Sequence, residues 1–225
     1  MRNNRKVNGI QIAQVGAVVF DLGGVFLEGS VENAMRFGEG VGLSAEAWRE
    51  IHHELFIAAG PWDEVERGGM TLDTFAGILV QRVSGQGVEI SHDQARNFMG
   101  NPEDSIQMRL RHDIVDACLA VRRRMPTALL TNNIAEWRNG WRTRLDIEGL
   151  FDQVIDSSEE GMRKPESAIY ELMENRLNLP PESLLFIDDL GVNLKPARAR
   201  GWQTLKYDDT HKVLQVLSAV AVAPA

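Results

Sequence analysis

Acidic and amide side chains in this sequence fall where apolar runs stop. Ala17-Val18-Val19-Phe20 runs into Asp21-Leu22-Gly23-Gly24, and Leu184-Leu185-Phe186-Ile187 runs into Asp188-Asp189. Short apolar runs broken at once by glycine or acid read as buried strands. In open α/β sheets the carboxyl ends of the strands form the ligand-binding edge. Carboxylates on parallel strands at one such edge repel each other. A hard divalent cation relieves that repulsion, and Mg²⁺ takes one or two carboxylates together with waters and phosphate oxygens. Thr127-Ala128-Leu129-Leu130 ends in Thr131-Asn132, which offers a hydroxyl and an amide to an anion. Lys164, in Gly161-Met162-Arg163-Lys164-Pro165, adds a positive charge. Pro165 reads as the first residue of a helix, and helix N-termini favour anions. An aspartate, a cation site, a hydroxyl and a lysine at element ends describe a pocket for phosphoryl transfer.

The elements that must position these groups alternate. Strands at 16–20, 127–130, 153–155, 184–187 and 203–205 are separated by helical patterns at about 105–124, 134–145, from Pro165, 193–200 and from Thr210. Such alternation predicts an α/β fold with a doubly wound parallel sheet. Roughly a hundred residues separate the first two strands, whereas a βαβ unit needs about thirty. An inserted domain must fill the gap. Its segments read as helices: Val31–Val41, Ala45–Ala59 capped by Ser44, a stretch capped by Thr71 and a short one capped by Ser91. The expected organisation is a loose leader over 1–14, a core of 15–28 and 105–222, and an all-helical cap over 29–104. Asn101-Pro102 would be the return hinge, and the tail Ala219–Ala225 would fray.

Composition bounds the partners. The chain has 225 residues, 44% hydrophobic and 25% charged, with a formal net charge of −8. That charge argues against nucleic acid or an anionic membrane. No apolar run approaches the ~20 residues of a membrane helix, and no apolar block follows Arg2, Arg5 and Lys6 as a secretory signal requires. Cys118 is the only cysteine, which fits a reducing, cytoplasmic setting, and it lies on an apolar helix stripe as a packing residue. A monomer or a homodimer is expected.

The ordered motifs Phe20-Asp21-Leu22-Gly23-Gly24-Val25, Leu130-Thr131-Asn132, Lys164-Pro165 and Asp188-Asp189-x-x-x-Asn193 resemble the four motifs of the haloacid dehalogenase superfamily. Gly161–Arg200 is most similar to the phosphatase-domain branch that includes the N-terminal domain of soluble epoxide hydrolase. The resemblance implies a Rossmann-like core with a cap between the first and second motifs. It implies a Mg²⁺-dependent phosphatase of small phosphorylated metabolites, with Asp21 as the nucleophile that forms an aspartyl-phosphate. Mg²⁺ would be held by the Asp21 carboxylate, the Gly23 carbonyl and Asp189. Thr131 and Asn132 would grip the phosphoryl group, and Lys164 would offset its charge. Asp188 and Asn193 would sit behind them, orienting Lys164 and the metal's waters.

One departure matters. Many family phosphatases carry a second aspartate two residues after the nucleophile, as the general acid; here that position is Gly23. Such proton transfer is worth about 10²–10⁴-fold. The substrate would then have a leaving group that needs little protonation, or a cap residue (His52, His53, Asp63 or Glu64) would substitute, or the domain would bind phosphate ligands with weak or no turnover. Haloacid dehalogenation is a rival chemistry that uses the same aspartate without a metal. Trp62 is a candidate for touching substrate. Trp137 and Trp141 read as one packing stripe, and His92, His112 and His211 show no metal-ligand spacing.

Overall fold

The computed structural model describes residues 6–28, 30–57, 59–100 and 109–223. Five strands, β3 (Ala17–Phe20), β4 (Thr127–Thr131), β5 (Gln153–Asp156), β6 (Leu184–Asp188) and β7 (Gln203–Lys206), form one sheet. They lie in the order β5-β4-β3-β6-β7, and every pairing is parallel. The connections start from the central β3, fill one side, then cross to fill the other. The switch point therefore lies between β3 and β6, the strands whose tips carry Asp21 and Asp188.

The three central strands β4, β3 and β6 are buried on both faces, so they are apolar at nearly every position rather than at alternate ones, whereas the edge strands β5 and β7 carry polar residues. Val18, Phe20, Leu129, Leu185 and Ile187 face one layer, built on Ile114, Cys118 and Val121 of α6 (His112–Arg122) and Val213, Val216 and Val220 of α12 (Thr210–Ala221). Ala17, Val19, Ala128, Leu130 and Phe186 face the other. There α10 (Ser167–Leu177) contributes Ile169 and Tyr170, and α11 (Gly191–Ala199) contributes Leu194 and Ala197. The period of two along each strand sorts these residues between the layers. Short helices α7 (Arg138–Arg142), α8 (Ile147–Leu150) and α9 (Ser157–Glu160) complete the flanks.

Between β3 and β4 a second apolar cluster gathers helices alone. They are α1 (Ser30–Gly40), α2 (Ala45–His52), α3 (Pro61–Glu66), α4 (Leu72–Ser84) and α5 (His92–Arg96). Trp48, Leu55, Val65, Phe75 and Leu79 are buried in it. Ser44, Thr71 and Ser91 cap α2, α4 and α5 by accepting from Ala47, Thr74 and Gln94 backbone N–H, as the sequence predicts. No strand occurs among the described residues of 30–100.

Several expectations need correction. Residues 6–14 are not a loose leader. They form the hairpin β1 (Lys6–Val7) and β2 (Ile10–Gln11) plus a 3₁₀ turn, with Ile10 and Ile12 buried in the core. The helix expected over Ala45–Ala59 ends at His52 and continues as a wide π turn over His53–Ile57, Ala58 lying outside the described residues. The helix expected over 134–145 reduces to a 3₁₀ turn at Ala135–Trp137 followed by α7. Pro165 does not open a helix: α10 starts at Ser167 with Glu166 as its N-cap residue. The last helix runs through Ala221 with Val220 buried, so the tail is ordered further than expected. The hinge at Asn101-Pro102 and the helix start at Ser105 lie outside the described residues.

Candidate active site

Asp21 follows the last residue of β3. Its backbone N–H donates to the Ile187 carbonyl at 2.9 Å, so the tips of β3 and β6 are tied together there. Its carboxylate accepts from the Leu22 N–H at 2.7 Å and lies 2.8 Å from Lys164 Nζ. The same ammonium lies 2.8 Å from Asp188 Oδ2. Lys164 is 1% exposed and Asp188 is fully buried, so this ammonium bridges two carboxylates out of water's reach. Phe186 presents its ring to the same ammonium at 5.5 Å.

Asp188 has no spare capacity. Its two oxygens also take the Leu190 N–H at 2.8 Å and the Asn193 amide at 3.1 Å each. Asn193 is fixed in turn, since its carbonyl accepts from the Tyr170 hydroxyl at 2.7 Å. Asp188 and Asn193 thus form a saturated support behind Lys164.

Asp21, Asp188 and Asp189 each offer one carboxylate oxygen, and these lie within 4.8 Å of one another. Burial pushes the Asp21 carboxyl up to about 8, against the pull of Lys164, with Asp188 and Asp189 adding to the rise. Burial likewise raises Asp189, with Asp188 adding to it. For Lys164 burial acts downward, yet Asp188 and Asp21 outweigh it and hold the group charged. Once Asp21 ionises, three carboxylates against one ammonium leave an excess of negative charge. An oxygen-rich, negatively charged cluster is the donor set a hard divalent cation takes. The backbone makes room for it: Gly24 has φ +71°, and a Cβ there would fall 2.3 Å from Asp189 Oδ2.

Thr131, 2% exposed, ends β4 at the same sheet edge. Asn132 does more than present an amide. Its Nδ2 donates to the Lys164 carbonyl at 2.9 Å, and its Oδ1 accepts from the Lys164 N–H at 2.8 Å. The Asn132 side chain therefore clips the backbone of the lysine.

The cap candidates for a replacement acid are differently employed. His52 stacks on Phe56 at 5.0 Å within an aromatic cluster, and burial lowers its pKa. His53 opens the π turn beside it. Asp63 is paired with Arg163 at 2.7 Å, and the exposed Glu64 with Arg67 at 2.6 Å. Trp62 is buried against Phe75, Phe98 and Trp137 and donates to Glu66, so it is a packing residue rather than a substrate contact. Trp137 and Trp141 do not share a stripe. Trp137 packs into the helical cluster and Trp141 into the sheet's core, because Trp137 ends a 3₁₀ turn while Trp141 lies in α7, so the two do not share one continuous helix face. Cys118 is buried, and burial pushes its thiol up to about 12, the state of an inert packing residue.

Sequence reasoning missed Glu66 and Arg163, which meet at 2.5 Å beside Asn132, and Ser157, whose hydroxyl accepts from the Asn133 N–H at 3.0 Å. No local pattern marks them, since each acts across elements far apart in the chain.

Comparison with known proteins gives the family and the fold. The family model for haloacid dehalogenase-like hydrolases matches residues 15–201. Bifunctional epoxide hydrolase 2 of Mus musculus is 26% identical over 212 residues, covering 89% of this chain and 38% of that protein. The chain spans well under half the length of the curated relatives it matches. Among solved structures, a mutant haloacid dehalogenase-family enzyme of Bacteroides thetaiotaomicron in complex with magnesium and inorganic phosphate aligns at TM-score 0.66 and 21% identity, over 88% of this chain and 98% of that one. L-2-haloacid dehalogenase of Xanthobacter autotrophicus, with chloropropionic acid covalently bound, aligns at TM-score 0.60 and 18% identity, over 93% and 85%. At these identities the structural likeness speaks for the fold.

Proposed function

Because the chain belongs to the haloacid dehalogenase-like hydrolases, we propose that it is a Mg²⁺-dependent phosphatase of small phosphorylated metabolites. The observation that carries this reading is the Lys164 ammonium, 2.8 Å from both Asp21 and Asp188, with Asp189 closing an acidic cluster around it. Asp21 attacks phosphorus as the bond from phosphorus to the substrate's leaving oxygen breaks and that oxygen departs with its electron pair; the resulting aspartyl-phosphate is then hydrolysed by water to inorganic phosphate and the free carboxylate. Lys164 offsets the repulsion between that carboxylate and the anionic substrate. Thr131 donates its hydroxyl to the transferring group. Asn132 holds Lys164 in place through its backbone, and both hydrogens of its Nδ2 are spent on the Lys164 carbonyl and Glu66, so a phosphate contact at this residue falls to its backbone N–H. Asp21, the Gly23 carbonyl and Asp189 would hold Mg²⁺, while Asp188 is committed to Lys164 and Asn193. Bound there, Mg²⁺ would supply positive charge that offsets the negative charge of the phosphoryl group. Residues 29–104 act as the cap over a core of 15–28 and 105–222, which residues 6–14 join through Ile10 and Ile12, and the site of action is the cytoplasm.

Gly23 leaves no carboxylic acid two residues after Asp21, and Asp63 and Glu64 are both held by arginines. Substrates with good leaving groups, such as acyl phosphates and sugar-1-phosphates, suit this site best. Haloacid dehalogenation is the second reading, favoured by the fold shared with the Xanthobacter enzyme. The acidic cluster weighs against it, because a dehalogenating aspartate requires no cation beside it.

Beryllium fluoride, a phosphate mimic, tests the nucleophile. Wild-type protein is expected to trap it only with Mg²⁺, and Asp21→Asn is expected to lose both trapping and turnover of acyl and sugar phosphates while staying folded. Turnover near wild type in Asp21→Asn would refute the assignment. Release of halide from 2-haloacids without metal would favour the dehalogenase.

A further inference from the structure

We infer that Glu66, at the end of cap helix α3, is a positioning residue that holds the lysine of the active site in register with the cap. This rests on the phosphatase reading for its catalytic consequence, though not for its geometry. Glu66 has a side chain only 14% exposed, and it accepts three hydrogen bonds. Arg163 Nε donates to its Oε2 at 2.5 Å, Asn132 Nδ2 to the same oxygen at 3.1 Å, and Trp62 Nε1 to its Oε1 at 3.1 Å. Two of these donors flank the site in sequence: Asn132 follows Thr131, and Arg163 precedes Lys164.

The arrangement is a closed circuit. Asn132 clips the Lys164 backbone from both its N–H and its carbonyl, and Glu66 stops Asn132 from turning by engaging the same Nδ2. Arg163, next along the chain, is gripped by Glu66 and also by Asp63 at 2.7 Å. The cap therefore reaches the motif-bearing loops at two neighbouring points, with one carboxylate common to both. A buried carboxylate accepting charge-assisted and neutral donors together is stiff, because releasing any one leaves a buried polar group unpaired. Lys164 Nζ must stay within reach of both Asp21 and Asp188, so the position of its backbone matters. Glu66 touches no reacting atom and acts through Asn132 and Arg163.

The experiment compares Glu66→Ala and Glu66→Gln with wild type. Amide hydrogen exchange is read at Lys164 and in α12, and Mg²⁺-dependent turnover of p-nitrophenyl phosphate is read in parallel. Glu66→Ala is expected to speed exchange at the Lys164 amide and to lower kcat, each by about 10–100-fold, with α12 exchange unchanged. Glu66→Gln keeps an acceptor oxygen and the side chain's shape, so it is expected to recover most of both. If the alanine variant does not fold, Glu66→Asp, which keeps the charge but draws the carboxylate back from Asn132 and Arg163, is expected to speed Lys164 exchange in the same direction, and wild-type exchange in it would overturn the inference. Wild-type exchange at Lys164 in both variants would overturn the inference, as would faster exchange with an unchanged kcat. If wild-type protein turns over no phosphate and traps no beryllium fluoride, the phosphatase reading falls by itself, while the exchange at Lys164 still decides whether Glu66 braces the loop.

Discussion

Gly24 shows how little of the site can change. Its φ of +71° is open to glycine and strained for other residues, and a Cβ there would stand 2.3 Å from Asp189 Oδ2. Asp189 is held less tightly than Asp188, so a Gly24→Ala chain relieves the clash by swinging the Asp189 carboxylate away. The expected outcome is a Mg²⁺ affinity weakened by about tenfold or more, with a stability cost of about 1 kcal/mol for the backbone. Titration calorimetry against MgCl₂ reads the first and urea unfolding the second; unchanged Mg²⁺ binding would remove Asp189 from the metal site. At this scale the sequence was largely legible. Asp21, Thr131, Asp188 and Asp189 end apolar strands, and a strand's end can be found from its composition. Lys164 could be found, but its surroundings could not. What fixes it are Asn132, Arg163 and Glu66, and the Glu66–Arg163 pair spans 97 residues of chain.

Elements were less evenly legible. The hairpin β1–β2 turns on Asn8-Gly9, at φ +47° and +86°, a pair that marks tight hairpins. The signal is weak in the sequence because each strand is two residues long and the flanks carry charge. Pairing alone would not hold so short a hairpin. It is held by Ile10 and Ile12 in the core, and by Gln203, whose Oε1 accepts from the Gln11 N–H at 2.6 Å. Ile10→Ala is accordingly expected to cost about 2–4 kcal/mol, read as a lower urea midpoint with an unchanged slope. A cost below about 0.5 kcal/mol would return these residues to the status of a leader. The helix misread at Pro165 has a similar origin. Proline favours a helix's first position, but here Glu166 takes the N-cap and Pro165 precedes it, joined to Lys164 by a cis peptide bond.

At the scale of the molecule, two apolar cores meet at a site built of charge. Ile134 and Trp137, just after β4, belong to the helical cluster, and Glu136 Oε1 accepts from the Leu72 N–H at the start of α4 at 2.8 Å. The cap is thus seated on the segment that follows Thr131, by packing as well as by ion pairs. If Mg²⁺ binds as proposed, the site between the cores would give the whole protein a pH-dependent response to it. Without metal, burial raises the Asp21 carboxyl to about 8, above its range in the unfolded chain. In that window the folded state binds a proton that the unfolded state has lost, so metal-free stability falls as pH rises through it. Asp189, raised in the same direction, adds to the fall. Mg²⁺ must displace that proton, so its affinity and the stabilisation it brings grow with pH. At a hundredfold excess over Kd that stabilisation reaches about 2.7 kcal/mol. The increase in Tm from fixed MgCl₂ over EDTA is therefore expected to be larger at about pH 8.5 than at about pH 6, and to vanish in Asp21→Asn. An increase of equal size at both values would mean that Asp21 is already ionised at the lower pH, with Lys164 outweighing burial at the centre of the fold.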